Sequence, residues 1–345
     1  MIYPVGGSFL RPGAPWWSAI VLAFVLLVLA PRGLDLALQY DLTSIFICGI
    51  LALSMSFLWG GVGILSFGQT IFFGLGGYGY TILVMNTDAS LMSLVLGVLV
   101  GGGMAAVLGY FMIYGRINDI YLSVVTLVVT LIFEKMVRAT SGPEYVIGSV
   151  RLNGQNGIPG IPGLQLPFLT EPLSIEGVFW FAGGALLLTY CGLRLLMATR
   201  FGRILVGIRE NEQRMELLGY DTRRYRLITF IISGGVAAFA GGLFAVWGSF
   251  VGPEMFNLSQ ASLIVIWVIV GGRTTLIGPI IGAALIQYLT KWLGTVGVGQ
   301  VSTVMGAILI VFVLLFPRGL VPTLGDLLSR LRLAQVAQRS LKDAK

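Results

Sequence analysis

Long apolar runs, separated by short charged knots, set the plan of this chain. Residues 16–31 form the first run, opened by Trp16 and Trp17, a pair suited to a membrane interface. Arg32, Asp35 and Asp41 end it, and Leu42 to Thr87 then carries no charge. A bilayer crossing takes about 20 apolar residues, so this stretch makes two spans. Gly60-Gly61 is the turn expected between them. Further runs at 90–114, 120–137, 174–197, 226–249, 258–271, 275–292 and 300–316 bring the expected spans to about ten. These runs do not alternate apolar with polar, as membrane strands would. The expected fold is therefore an all-α polytopic membrane protein.

Two polar stretches interrupt the pattern. Residues 138–173 are turn-rich and hold Gly and Pro at short intervals from Asn153 to Gly163, too many for a helix. Residues 198–226 are different. Arg200, Arg203, Arg209, Arg214, Arg223, Arg224 and Arg226 lie among Glu210, Glu212, Glu216 and Asp221. Ile204, Leu205, Ile208, Met215 and Leu218 fall into one stripe at 100° per residue, and Gly219 sits where a helix end favours a left-handed residue. One short amphipathic helix is predicted, its stripe on the spans and Arg209 and Glu210 pointing off it. Periodicity alone leaves a solvated loop and a docking element equally open.

Composition narrows the class. Hydrophobic residues make up 56% of the chain and charged ones 11%, against about 25% charged in an average soluble domain. The net charge of +7 points to membrane orientation more than to nucleic acid. With no His, acid–base, triad and metal chemistry built on imidazole are excluded, and no metal site is expected. Cys48 and Cys191 both fall in predicted spans, so no disulfide framework is expected.

Charge also orients the chain. Ten spans put both termini on one side. That side collects seventeen of the 22 Lys and Arg residues, including Arg11, Arg116, the 194–226 cluster, Arg273 and the tail. Arg32, Lys135, Arg138, Arg151 and Lys291 fall on the other side. Positive charge accumulates inside, so both termini and the 198–226 loop are expected in the cytosol and 138–173 outside. The chain divides into a cytosolic segment 1–15, a transmembrane domain 16–316 and a basic cytosolic tail 317–345.

The run from Gly60 to Tyr78 is unusually rich in Gly. Two readings fit: a span packed tightly against neighbours, or a broken helix that offers Ser66, Gln69 and backbone groups to a solute. A second glycine turn, Gly271-Gly272-Arg273 with Gly278-Pro279, joins the spans at 258–271 and 275–292. Both Gly-Gly pairs are expected on the cytosolic side, each starting a span.

Three motifs carry a resemblance. Leu65-Ser66-Phe67-Gly68-Gln69, followed by Phe72-Phe73-Gly74-Leu75-Gly76-Gly77-Tyr78, is one. Arg200-Phe201-Gly202-Arg203, then Ile208-Arg209-Glu210 and Gly219-Tyr220, is the second; the turn at Gly271, Gly272, Arg273, Gly278 and Pro279 is the third. Together they resemble ABC importer permeases of the branched-chain amino acid type, a family that includes urea and short-amide permeases. The resemblance spans roughly residues 40–320. It implies that Ser66, Phe67, Gly68, Gln69, Phe72, Phe73, Gly76 and Tyr78 border the translocation path. Arg200, Gly202, Arg203, Ile208, Arg209, Glu210 and Gly219 would then couple to an ATPase. Asn153, Asn156 and Gly157 would meet an external solute-binding protein. The implied partners are a second related permease, two ATP-binding subunits and that binding protein, in a bacterial cytoplasmic membrane.

The chain has no GxxxxGK[ST], so ATP and Mg belong on partner subunits and the chain itself is not expected to be an enzyme. An ion-coupled secondary transporter is the alternative from another class. Such proteins usually place ionisable residues at mid-membrane; the third span, within 42–87, and those at 90–114, 226–249 and 300–316 carry none in their interiors, which argues against proton coupling but not against sodium coupling through carbonyls. An apolar path with Phe72 and Phe73 fits a branched-chain amino acid, an amide or urea.

Overall fold

The computed structural model describes residues 14–167, 171–296, 301–316 and 319–323. The expected N-terminal segment 1–15 and basic tail 317–345 lie outside these residues, except for 14–15 and 319–323. Among the described residues the chain is almost wholly helical. The first five helices are α1 (Ala14–Leu29), α2 (Leu36–Val62), α3 (Gln69–Thr87), α4 (Ser90–Tyr114) and α5 (Asp119–Ala139). After the polar stretch come α6 (Ile175–Ala198), α7 (Arg200–Glu210), α8 (Glu212–Leu217) and α9 (Thr222–Gly248). The last three are α10 (Leu258–Gly271), α11 (Ile277–Thr295) and α12 (Val301–Leu315). The apolar runs at 90–114 and 258–271 reappear as α4 and α10 with unchanged bounds.

Five helices, α2, α4, α5, α6 and α9, are long and apolar enough to cross a membrane. α10 is apolar but shorter; at 1.5 Å per residue it covers about 21 Å. Burial separates centre from rim. In α2, 83% of the apolar window is buried, against 28% in α4 and 22% in α5. α2 is therefore enclosed by protein, while α4 and α5 turn residues such as Leu99, Phe111 and Ile120 outward. Apolar side chains on that rim have no water-excluding partner within the chain, as expected of a lipid-facing surface. The described residues thus make a multi-pass membrane protein.

α3, α4 and α9 pack closely against one another. A Cβ on Gly76 would overlap the Ala238 carbonyl of α9, so only glycine lets the two backbones meet there. Much of the Gly density of the 60–78 run serves this contact.

The turn expected at Gly60-Gly61 lies three residues later. Both glycines belong to the last turn of α2, which is closed by Gly63 at φ 89°, its N–H bonding the Trp59 carbonyl at 3.1 Å. Gly60 is small because the Arg273 carbonyl of the α10–α11 turn presses on it. Gly271 likewise ends α10. Both Gly-Gly pairs therefore close a helix instead of opening one, and Gly60 meets Arg273, the residue after the second pair.

The polar stretch after α5 is ordered. β1 (Val146–Ile147) and β2 (Val150–Arg151) form a hairpin, and β3 (Ile158–Pro159) pairs antiparallel with β4 (Phe250–Val251) beyond α9. Contacts sort the bundle into two ends. One end holds this stretch, with Ser149 N–H donating to Asn86 at 2.8 Å, Trp247 Nε1 donating to the Tyr40 carbonyl at 2.9 Å, and Lys291 paired with Asp41. The other holds the charged α7–α8 arm, Arg273, and the pair of Arg226 with Asp119. This is the grouping that the charge count anticipates.

Candidate functional site

Two irregular segments enter the bundle from opposite ends. The first, residues 63–68, leaves the end of α2 and climbs along α5. Buried backbone without a helix needs partners from elsewhere in the protein, and three hydroxyls of α5 supply them. Ser123 Oγ donates to the Leu65 carbonyl at 2.7 Å. The Phe67 N–H donates to Thr126 Oγ1 at 3.2 Å, and Thr130 Oγ1 donates to the Phe67 carbonyl at 3.3 Å. Ser66 Oγ accepts from the Gly68 N–H at 3.1 Å.

α3 then starts at Gln69, buried between α2 and α9. Ser54 Oγ donates to Gln69 Oε1 at 3.2 Å, and Gln69 Nε2 donates to Ser233 Oγ at 3.0 Å. Ser233 Oγ donates in turn to the Ser54 carbonyl at 2.7 Å. Ser66, Gln69, Phe72 and Phe73 are buried within the chain itself, and Phe72 packs edge-on against Phe230. Gly68 sits with its α-carbon environment filled by Thr126, 3.3 Å from where a Cβ would stand. The motif thus builds a broken helix whose polar groups are spoken for.

The second segment, residues 249–257, comes from the other end and precedes the short α10. It carries Phe256 against α3, where any Cβ on Gly74 would overlap the ring. Tyr78 and Phe256 lie 5.7 Å apart by ring centroids, and Phe133 of α5 stacks on the far side at 6.2 Å. The Tyr78 hydroxyl is buried and has no hydrogen-bond partner among the described residues. Of the residues assigned to the path, Tyr78 alone keeps an uncommitted polar atom at the meeting of the two segments.

The charged arm is two helices, not one. Thr199 separates α6 from α7, and Gly202 fits the corner because a Cβ would overlap the Met197 backbone. Leu205 and Ile208 are buried against the bundle. Asn211, at φ −161° and ψ 100°, breaks the helix and caps α8 by accepting from the Arg214 N–H at 2.8 Å. Gly219, at φ 87°, closes α8: its N–H bonds the Glu216 carbonyl and that of Tyr220 bonds the Met215 carbonyl. These paired bonds form the glycine-based stop predicted there.

The break changes which side chains face outward. Leu218, predicted in the buried stripe, is 66% exposed, and Leu217 is 89% exposed. Arg209, predicted to point off the stripe, is turned inward. Its Nη1 donates to the Gly60 carbonyl at 2.6 Å, and its Cγ lies 3.3 Å from where a Cβ on Gly63 would be. Only 17% of its side chain is exposed, against 59% for its neighbour Glu210. Arg200 is exposed and Arg203 lies on the exposed side of α7. Arg226 binds Glu212 at 2.8 Å and also pairs with Asp119, fastening α8 and α9 to the start of α5.

In the α10–α11 turn, Arg273 lies over the Trp59 ring at 5.5 Å. Gly271 and Gly278 face each other so closely that neither tolerates a Cβ, and Pro279 packs beside them. At the opposite end Asn156 is exposed, whereas Gly157, at φ 74°, is buried under the Val251 carbonyl. Asn153 is half-buried and also left-handed, at φ 49°.

Sequence reasoning missed Ser123, Thr126 and Thr130. Their spacing of three and four residues places three hydroxyls on one helix face, a readable signal in an otherwise apolar run. It also missed Ser54, Ser233 and Phe256, whose partners lie far away in sequence.

Residues 38–316 match the family described as branched-chain amino acid transport system / permease component. The high-affinity branched-chain amino acid transport system permease protein LivM of Escherichia coli (strain K12) is 26% identical over 341 residues, covering 92% of this chain and 77% of LivM. LivM of Salmonella typhimurium is also 26% identical, over 347 residues, with the same coverage. The autoinducer 2 import system permease protein LsrC of Yersinia pseudotuberculosis is 32% identical over 145 residues, covering 40% of each chain. No solved structure matches significantly. Since the family match runs from the start of α2 to the end of α12, the chain belongs to the branched-chain amino acid transport system permease family.

Proposed function

We propose that the chain is a membrane subunit of an ABC importer that forms the path for a branched-chain amino acid. The observation that carries this reading is the similarity to LivM along nearly the whole chain. The geometry supports it. Two interrupted helices meet at Tyr78 and Phe256 among apolar and aromatic side chains, the kind of lining that suits an aliphatic solute. The charged arm at one end is braced against the bundle and carries exposed Leu217 and Leu218, a suitable anchor for an ATPase.

In this reading ten helices span the bacterial inner membrane: α1 to α6 and α9 to α12. Both termini, the arm and the 271–279 turn face the cytosol. The strand-bearing stretch 146–159 faces the solute-binding protein, with Asn156 as its exposed contact. A second related permease and two ATP-binding subunits complete the complex, and those subunits hold ATP and Mg. Binding and hydrolysis of ATP move the arm, and the arm moves the ends of α2 and α10.

A second substrate reading rests on the match to LsrC. It covers a smaller part of the chain than the LivM match, so the amino acid is preferred; urea and short amides share the same apolar path. The test is reconstitution of the chain with a second permease, two ATPases and a binding protein in vesicles. ATP-dependent uptake of leucine, exceeding that of urea, acetamide or autoinducer 2, is expected. Uptake driven by a sodium or proton gradient without ATP would overturn the ABC reading. ATP-dependent uptake of another solute would overturn only the substrate.

A further inference from the structure

A polar cavity lies where the arm meets the membrane domain. It has a volume of about 360 Å³ and is lined by the α4–α5 turn on one side and by α8 and α9 on the other. Arg116 and Asp119 line the first wall, and Glu212, Glu216, Arg223 and Arg226 the second. Formal charges balance, but the hydrogen-bonding capacity does not. Asp119 and Glu212 are both taken up by Arg226. Glu216 accepts from the Thr222 hydroxyl at 3.0 Å. The side chains of Arg116 and Arg223 make no hydrogen bond or ion pair among the described residues. Arg226 Nε is buried and also unpartnered. Each carboxylate of this cavity thus accepts at least one hydrogen bond, whereas the guanidiniums of Arg116 and Arg223 have no partner.

Position then identifies the source of an anion. Arg116 directly follows the end of α4, and its backbone is held in the left-handed region at φ 54°. The last turns of α4 expose Tyr110, Phe111 and Tyr114, and the first turn of α5 exposes Ile120 and Tyr121. Aromatic side chains gathered at a helix end mark the headgroup level of a bilayer. The cavity thus opens beside that level, where a phosphate is always available and a basic pocket between helices can take a lipid headgroup.

We propose that this cavity binds the phosphate of an anionic glycerophospholipid through Arg116 and Arg223, with the acyl chains lying along the exposed faces of α4 and α5. Arg116 belongs to the bundle and Arg223 to the base of the arm, so one phosphate bridges both. A bound lipid would then hold the arm in register with the membrane domain, adding to the Arg226 pairs. The inference rests on the helices spanning a bilayer and not on which end is inside. It is also independent of the transported solute.

The test uses the full-length chain purified from its membrane and returned to vesicles of phosphatidylcholine with or without phosphatidylglycerol. Retained lipid is counted by native mass spectrometry after extraction. Wild type should keep phosphatidylglycerol in preference to phosphatidylcholine. Arg116→Gln with Arg223→Gln should weaken that retention roughly thirtyfold, two guanidiniums each worth about 1 kcal/mol near an anionic surface. Arg224→Gln, next to the cavity but outside its lining, should leave it unchanged. Both variants are to be checked for wild-type melting in the neutral vesicles. Equal retention by the double variant overturns the proposal. So does displacement of the lipid by millimolar inorganic phosphate, which would make the ligand a soluble anion.

Discussion

Arg209 reaches back from the charged arm and donates to the carbonyl of Gly60 at 2.6 Å. A guanidinium is thereby seated on the C-terminal end of α2, where unpaired carbonyls and the helix dipole favour a cation. Gly60 also bears the Arg273 carbonyl of the α10–α11 turn. The arm is thus joined at one point to the most enclosed helix of the bundle and to the turn beyond α10.

Arg209 should therefore act within the chain and not on a partner. A hydrogen bond to a charged group is worth about 1.5–3 kcal/mol. Arg209→Ala should reduce uptake at least about tenfold, if that energy serves coupling, while the ATPase subunits still co-purify. Arg203→Glu, on the exposed side of α7, should weaken co-purification instead. Release of the ATPases by Arg209→Ala would show that its side chain belongs to the docking surface.

The apolar tip of the arm is the expected anchor. Leu217 and Leu218 are both largely exposed, and α8 is capped at both ends by Asn211 and Gly219. Replacing both leucines with Asp should cost about 2 kcal/mol or more of binding, the scale of an interface hot spot. Pull-down of the ATPases would measure this, with the melting of the isolated permease unchanged. Undiminished pull-down would leave the anchor elsewhere on the arm.

Thr126 holds the non-helical segment after α2. Thr126→Val leaves the Phe67 N–H unpaired in the interior, a loss of about 1–3 kcal/mol. Thr126→Ser keeps the acceptor and should recover most of it. Thermal melting in a neutral detergent checks both, and equal melting of the Val and Ser variants would mean that the bond carries no weight.

Tyr78 offers a hydroxyl that no other group uses. Tyr78→Phe should leave assembly and melting intact, since it removes a buried unpaired polar atom. If the hydroxyl meets the solute, uptake should fall several-fold through a raised KM. Unchanged uptake kinetics would make Tyr78 a packing residue.

Sidedness is checked with single cysteines. Asn156 and Gln213 are both exposed and lie at opposite ends of the bundle. In a background lacking Cys48 and Cys191, Asn156→Cys should react with an impermeant thiol reagent added outside, and Gln213→Cys only after permeabilisation. Reaction of both from outside would break the ten-span arrangement.

Much of this architecture can be read from the chain. Apolar runs gave helix positions because lipid demands uninterrupted helices, and the Gly219 stop follows from a local conformational need. Glycine was ambiguous elsewhere. Gly60 accommodates a neighbouring backbone and Gly63 supplies a turn, yet the two roles look alike in sequence. Helical phase misplaced Leu218 because the break at Asn211 resets the rotation of everything after it. Arg209 was misread for another reason. A helical wheel assigns a direction to the Cβ, but a long guanidinium side chain can double back, and its acceptor lies 149 residues earlier.

The clamp on residues 63–68 also bears on how the chain is made. The backbone groups of Leu65 and Phe67 find their partners 58 to 63 residues downstream, on α5. When α2 and α3 first enter the bilayer, those partners have not yet been synthesised. Lipid cannot satisfy exposed peptide groups, so the segment must stay at the aqueous end of the bundle, or inside the insertion machinery, until α5 arrives. The α2–α3 hairpin is therefore inserted early and completed late. Truncation after α4 should leave it open to proteases that the finished protein resists.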